Sequence, residues 1–365
     1  MQELCGRVRA AGMPIDRVAF FFGTLHPQYF GIALFWDGSS VRVLEGSYRL
    51  QQSDEYRRSP ARRITEGERV IRRRLERPDC PMDFAVLEEL RAAGLTDYVI
   101  AEVVFGNGAR NSVSLATRRP GGFTDHDIAE VERLLHPFAM VMEIYVARTL
   151  SRTLLEVYLG RSSGARVLEG QIKRGDGEEI EAVIWFSDLR DSTPLAKSLG
   201  WERFLDLLND YFASTAGAVL AHGGEVLRFI GDASLAVFPI AGAGARSACE
   251  QAVAAARGAR ERARTANERR AQAGLAPFRY GVGLHLGRVL YGNIGTPERL
   301  EFSVIGAAAN EAARIEALCK TTGRDVVVSG EVAGALGGGW PSLGRYPLAG
   351  VEAPMEVFAL PEPSA

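Results

Sequence analysis

The chain has 365 residues, with 43 Lys+Arg against 45 Asp+Glu, a net charge of −2, and 47% hydrophobic residues. This excludes a disordered chain, gives no global charge for nucleic acid, and at roughly 150 residues per domain implies two globular domains. The four cysteines (Cys5, Cys80, Cys249, Cys319) are scattered without a CxxC pair, which points to thiols in a reducing compartment and not to a disulfide framework or zinc site.

The N-terminus is polar, and its first apolar run, residues 18–25, stops at His26-Pro27-Gln28. It is far short of the roughly 18 residues of a membrane span, so a cytoplasmic protein without one is expected. Residues 18–22, 31–35 and 41–44 are strand candidates, with a turn at Gly38-Ser39-Ser40. Residues 99–105 and 112–117 flank Gly106-Asn107-Gly108 as a hairpin, because β-rich runs around Asn-Gly favour a tight turn. Between them lies an arginine-rich stretch from Arg57 to Arg77. Its interleaved acids and apolar residues suit a solvated helix face better than a nucleic-acid or anion site. Thr124 followed by Asp125 and Asp127 marks a helix start. Apolar residues then recur at helical spacing to about residue 159, with Pro137 expected to kink or restart the helix. A helix this long and amphipathic suits a dimerising connector.

Residues 160–179 form a polar, glycine-containing joint. The expected division is a sensor-like domain over 1–142, a connector over 143–179 and a catalytic domain over 180–365. The last begins with a strand at 182–187, a helix at about 198–220, a hairpin at 225–238 and a long helix at about 245–274. Strands at 279–286, 289–294 and 300–305, a helix at about 308–319 and a strand at 325–329 follow. Strand-helix-hairpin-helix-strand predicts an α+β, ferredoxin-like core.

Three segments carry chemistry. In Val183-Ile184-Trp185-Phe186-Ser187-Asp188 an apolar strand ends in a carboxylate, followed by a turn whose free N–H groups suit phosphate. In the second, Gly231-Asp232 lies between two apolar runs, so Asp232 sits at a hairpin tip. If that hairpin lies beside the first strand, Asp188 and Asp232 meet, and two close carboxylates need a cation. Hard oxygen ligands suit Mg²⁺ or Mn²⁺. In the third, Asn310 and Arg314 stand at i and i+4 on one helix face. Taken singly, each is most economically a cap, a turn residue or a solvated surface pair.

Together the motifs resemble the catalytic domain of class III adenylate and guanylate cyclases. They are Phe186-Ser187-Asp188-Leu189, Gly231-Asp232, Gly281-Val282-Gly283-Leu284-His285 with Gly287, and Val304-Ile305-Gly306 with Asn310 and Arg314. The resemblance implies that Asp188, Asp232 and the Leu189 carbonyl hold two Mg²⁺ or Mn²⁺ ions. It implies that Arg314 stabilises transition-state charge and Asn310 orients the ribose of ATP. Arg288 matches a phosphate-binding arginine, and the turn through Thr193 cradles phosphates. It further implies a head-to-tail homodimer with two shared sites and cyclic AMP as product. Residues 81–142 weakly resemble a GAF-type sensor, whose small-molecule or protein input would act through the connector.

Several positions depart from the pattern. Arg228 replaces the usual base-reading lysine, and Ser303 the usual aspartate or threonine. Both keep a cation for adenine N1 and an acceptor for the N6 amine, although arginine is larger and planar. A pyrimidine or GTP cyclase is therefore the enzymatic alternative, and a degenerate nucleotide-sensing dimer the other. Asp191-Ser192-Thr193 stands where many members have Gly-Phe-Thr, which brings an extra acid toward the triphosphate.

Overall fold

The computed structural model describes residues 1–240 and 242–361; the last four residues of the expected catalytic domain lie outside them. The chain forms two compact units, Met1–Leu154 and Leu155–Ala365.

The first unit runs α1 (Gln2–Ala10), β1 (Arg17–Gly23), β2 (Tyr29–Trp36), β3 (Val41–Ser47), α2 (Tyr48–Gln51), α3 (Asp54–Arg57), α4 (Pro60–Thr65), β4 (Val70–Arg73), α5 (Ala85–Ala92), β5 (Asp97–Val104) and β6 (Arg110–Thr117). It ends in α6 (Asp125–Leu159), which carries the chain into the second unit. The strands form one antiparallel sheet in the order β3-β2-β1-β6-β5-β4. Alternation on β5 serves two cores. Val99 and Val103 pack with Phe20, Phe22 and Phe138 of α6, and Tyr98 and Ile100 pack with Ile64 and Leu87 of the small helices.

Thr124 and Asp127 cap α6 reciprocally: the Asp127 N–H donates to Thr124 Oγ1 at 3.2 Å, and the Thr124 N–H to Asp127 Oδ2 at 2.6 Å. The helix neither ends nor restarts at Pro137. The arginine-rich stretch is ion-paired within the unit, including Arg62–Glu66, Arg73–Asp83 and Arg72 with the fully buried Asp97.

The second unit continues with α7 (Arg161–Leu168), β7 (Gly177–Leu189), α8 (Ser192–Leu199), α9 (Trp201–Ala221), β8 (Glu225–Ile230), β9 (Ala233–Pro239) and α10 (Gly244–Gln272). Next come β10 (Tyr280–Thr296), β11 (Arg299–Ile305), α11 (Ala307–Thr322), β12 (Val326–Ser329), α12 (Gly330–Leu336), β13 (Ser342–Tyr346) and β14 (Met355–Ala359). The sheet order is β13-β14-β12-β10-β7-β9-β8, with β11 on the other side of β10's far end. Within it, β10-β7-β9-β8 is the antiparallel βαββαβ order expected of a ferredoxin-like core. The α+β expectation holds, with antiparallel pairing dominating and β10–β12 the parallel pair.

Boundaries differ where glycine or pairing decides them. The helix expected at about 198–220 is α9, and a separate short helix, α8, precedes it, divided from it at Gly200, which has φ 74°. The two strands expected at 279–286 and 289–294 are one, since β10 pairs with β7 continuously from Tyr280↔Leu189 to Gly292↔Gly177. The joint at 160–179 contains α7, docked by the Arg166 guanidinium over the Tyr291 and Phe302 rings.

One face of the sheet packs on α9 and α10, whose alanines (Ala252, Ala256, Ala259) are fully buried and admit a close helix seat. On the other face, α11 lies against glycines of β10. A Cβ at Gly283 would meet the Ala312 carbonyl and, at 2.5 Å, the Glu316 amide; one at Gly287 would meet Ala308 Cβ at 2.7 Å. Gly283→Val should therefore destabilise the protein by about 2–3 kcal/mol through overpacking. Gly334→Ala, in open space on α12, should stay within about 1 kcal/mol of the parent. Urea unfolding measures both, and an unchanged midpoint for Gly283→Val would contradict the tight seat.

Candidate active site

β7 ends at Asp188 and Leu189, paired with Gly281 and Tyr280 of β10 on one side. On the other side β9 brings Ala233 opposite Asp188. Gly231 and Asp232 form the two-residue turn between β8 and β9, with Gly231 left-handed at φ 64°. The turn is tied to β7 by the Leu189 N–H donating to the Asp232 carbonyl at 3.2 Å. The hairpin thus lies beside the first strand, and Asp188 and Asp232 meet. Burial, and next the charge of Asp232, push the Asp188 carboxyl above its ordinary range. Beneath the pair, the buried Ser187 hydroxyl contacts Tyr211 Oη at 3.0 Å and Ser234 Oγ at 2.8 Å.

The donor set fits a hard divalent cation carried with a phosphate ligand. Neither aspartate has a lysine or arginine ion pair, and no third His, Cys, Asp or Glu joins them among the described residues. Two carboxylates and a strand-end carbonyl leave coordination positions for substrate oxygens.

After β7 the chain turns through Asp191, whose φ of 57° makes it the one non-glycine residue with positive φ among the described residues. This left-handed position explains why glycine is common there, and aspartate is among the side chains that tolerate it. Its carboxylate accepts from Arg279 Nη2 at 2.7 Å, so the extra acid is neutralised by a neighbour. The turn opens α8, with the exposed Thr193 in its first turn.

Asn310 is exposed and Arg314 half-buried on α11. A Cβ at Gly350 would lie 3.7 Å from the Arg314 guanidinium, so glycine leaves that group room. Two contacts anchor α11. Arg190 Nη2 stands 2.7 Å from Glu316 Oε1 and donates to the Glu316 carbonyl at 3.3 Å. Burial pushes the Glu316 carboxyl up to about 7 against the opposing pull of Arg190. Buried His285 reaches Glu311 at 2.8 Å, and desolvation lowers its pKa.

Arg228 on β8 donates through Nη1 to Glu301 Oε2 at 2.9 Å. Glu301 and Ser303 are two apart on β11 and share a face. Ser303 is buried, and its hydroxyl has no hydrogen-bond partner among the described residues. Arg288 is exposed and 3.4 Å from Glu179. No hydrogen bond or ion pair among the described residues links the Asp188–Asp232 pair to Asn310, Arg314, Arg228 or Ser303. Glu301, Glu316 and Arg190 were not legible as site residues. An acid two before Ser303 was the available signal for Glu301; the Arg190–Glu316 contact spans 126 positions and had none.

Residues 177–360 match the model of the adenylate and guanylate cyclase catalytic domain, and the chain belongs to that family. Adenylate cyclase 1 of Rhizobium meliloti is 32% identical over 152 residues, 42% of this chain and 23% of that protein. An uncharacterized protein of Mycobacterium tuberculosis is 36% identical over 176 residues, 47% of this chain and 30% of that protein. This chain thus spans less than a third of either relative. A bacterial light-regulated adenylyl cyclase shares the fold, with a TM-score of 0.52 at 19% identity over 74% of this chain and 87% of that one. Among the described residues, no helix is long and apolar enough to cross a membrane.

Proposed function

We propose that the second unit closes ATP to 3′,5′-cyclic AMP and pyrophosphate. The observation that carries this is the meeting of Asp188 and Asp232 at the end of β7, with no lysine or arginine ion-paired to either among the described residues. Asp188, Asp232 and the Leu189 carbonyl would hold two Mg²⁺ or Mn²⁺ ions, which when bound polarise the ribose 3′-hydroxyl and screen the triphosphate. The free N–H groups opening α8, with Thr193, receive phosphate oxygens. Arg288 adds a cation to the triphosphate. Arg314 offsets the charge that builds on the α-phosphoryl group as the 3′-oxygen attacks and pyrophosphate leaves. Asn310 holds the ribose in line for that attack.

Adenine is read at Arg228 and Ser303. Arg228 uses one N–H group on Glu301 and keeps others for N1, while the unpartnered Ser303 hydroxyl accepts from the N6 amine. Glu301 favours a second reading, since its carboxylate can accept together from N1–H and the N2 amine of guanine. The homodimer with shared sites is supported by the lack of any hydrogen bond or ion pair, among the described residues, between the aspartates and Asn310 or Arg314. It is also supported by the exposed Phe229, Ile230, Leu290 and Ile305. The first unit, with its unassigned input, biases that dimer through α6, on which Val141, Ile144 and Tyr145 are exposed.

With each of four nucleoside triphosphates and Mn²⁺, cyclic AMP from ATP should be the main product. Asp188→Asn should lower turnover by about 10³-fold or more, on the scale of losing a principal electrostatic stabiliser, with an unchanged thermal melt. Cyclic GMP as the main product would move the assignment to guanine, and a fully active Asp188→Asn would overturn the metal site. Removing residues 1–140 should change basal turnover or its dependence on protein concentration; identical kinetics would contradict regulation by the first unit.

A further inference from the structure

The second unit contains a cavity of about 400 Å³ that the proposed reaction does not use. Four segments meet around it: the turn after β7, the entry to β10, the last turn of α11 and the entry to β12. Its volume is at the small end of the range for ligand pockets.

The charges around it do not cancel. Arg190 is paired with Glu316, Arg279 with Asp191, and Asp325 with Arg260, the last through two contacts of 2.8 Å. Lys320 and Arg324 also line the cavity, and neither has an ion pair or hydrogen-bond partner among the described residues. Lys320 lies within electrostatic reach of Glu316, already claimed by Arg190. The C-terminus of α11 contributes roughly half a negative charge, less than these two cations supply. The rim is therefore net positive.

Phe278 and Tyr280 supply aromatic surface beside these cations.

We propose that this cavity binds a small organic anion, a carboxylate or phosphate on a compact, partly apolar body. Its charge lies against Lys320 and Arg324. Arg190 and Asp191 belong both to this wall and to the turn that opens α8, so occupancy would be felt where the nucleotide's phosphates are received. That consequence rests on the proposed cyclase activity; the binding does not.

Calorimetric titration of the full chain, without nucleotide or divalent metal, tests the site with phenyl phosphate and benzoate, and with neutral benzyl alcohol as control. At least one of the two anions should bind saturably at one per chain, and benzyl alcohol should not. The double variant Lys320→Ala/Arg324→Ala should weaken binding about tenfold or more, as expected on losing charge-assisted contacts. Arg314→Ala and Asp188→Asn should leave it unchanged. Lys320 and Arg324 are exposed, so a thermal melt equal to the parent's is expected for the double variant. No saturable binding of either anion would overturn the proposal. So would binding that survives the double variant but is lost with Arg314→Ala, which would put the anion in the nucleotide site.

Discussion

The close seat of α11 on β10 is the contact on which the geometry of the site depends. Three glycines at alternate or near-alternate positions of one strand, Gly281, Gly283 and Gly287, remove the side chains that would hold the helix away. At Gly281 a Cβ would run into the Arg190–Glu316 pair, so the same gap that admits the helix admits its electrostatic anchor. Because β10 pairs with the whole of β7, from Tyr280 to Gly292, the helix carrying Asn310 and Arg314 is registered to the strand that ends in Asp188. Close-packed interiors transmit such displacements, so an extra methyl in this gap moves functional groups as well as lowering stability.

Against that frame, the treatment of charge separates scaffold from site. Arg270 is almost fully buried yet contacts Asp206 and Asp210 and donates to the Ala276 carbonyl. Arg190 is matched by Glu316, and Asp191 by Arg279. The fold pairs its charges where they serve architecture, as buried or half-buried ions require. Asp188 and Asp232 break that rule by facing each other. The proposed reaction turns the exception into a requirement for divalent cations and a polyphosphate, and the unpartnered Ser303 hydroxyl leaves the matching request for a hydrogen bond on the base.

Much of this was legible because the chemistry sits on regular elements. An apolar strand ending in Asp188 and a Gly-Asp turn between two apolar runs are local patterns, and the sheet order that brings them together follows from βαββαβ connectivity. What escaped notice was set by partners far apart in the chain. The continuity of β10 through Gly287-Arg288 comes from its pairing with β7, not from its own composition. The break at Gly200 needed knowledge of its backbone angle. Glu301 is an ordinary strand acid in sequence, and only its contact with Arg228, 73 positions away, marks it. Asp191 looked like an intruder near phosphate; its left-handed backbone and its bond to Arg279 make it a substitute for glycine whose charge is already balanced.

In the proposed reaction the two aspartates and the Asn310–Arg314 pair act on one nucleotide from different copies of the chain. Mixing Asp188→Asn protomers with Arg314→Ala protomers measures this directly, because each is inactive alone and a heterodimer regains one intact site. The mixture should recover a substantial fraction of cyclic nucleotide formation, rising as the two are brought to equal amounts. A mixture as inactive as its separate components, with heterodimers demonstrably present, would contradict it.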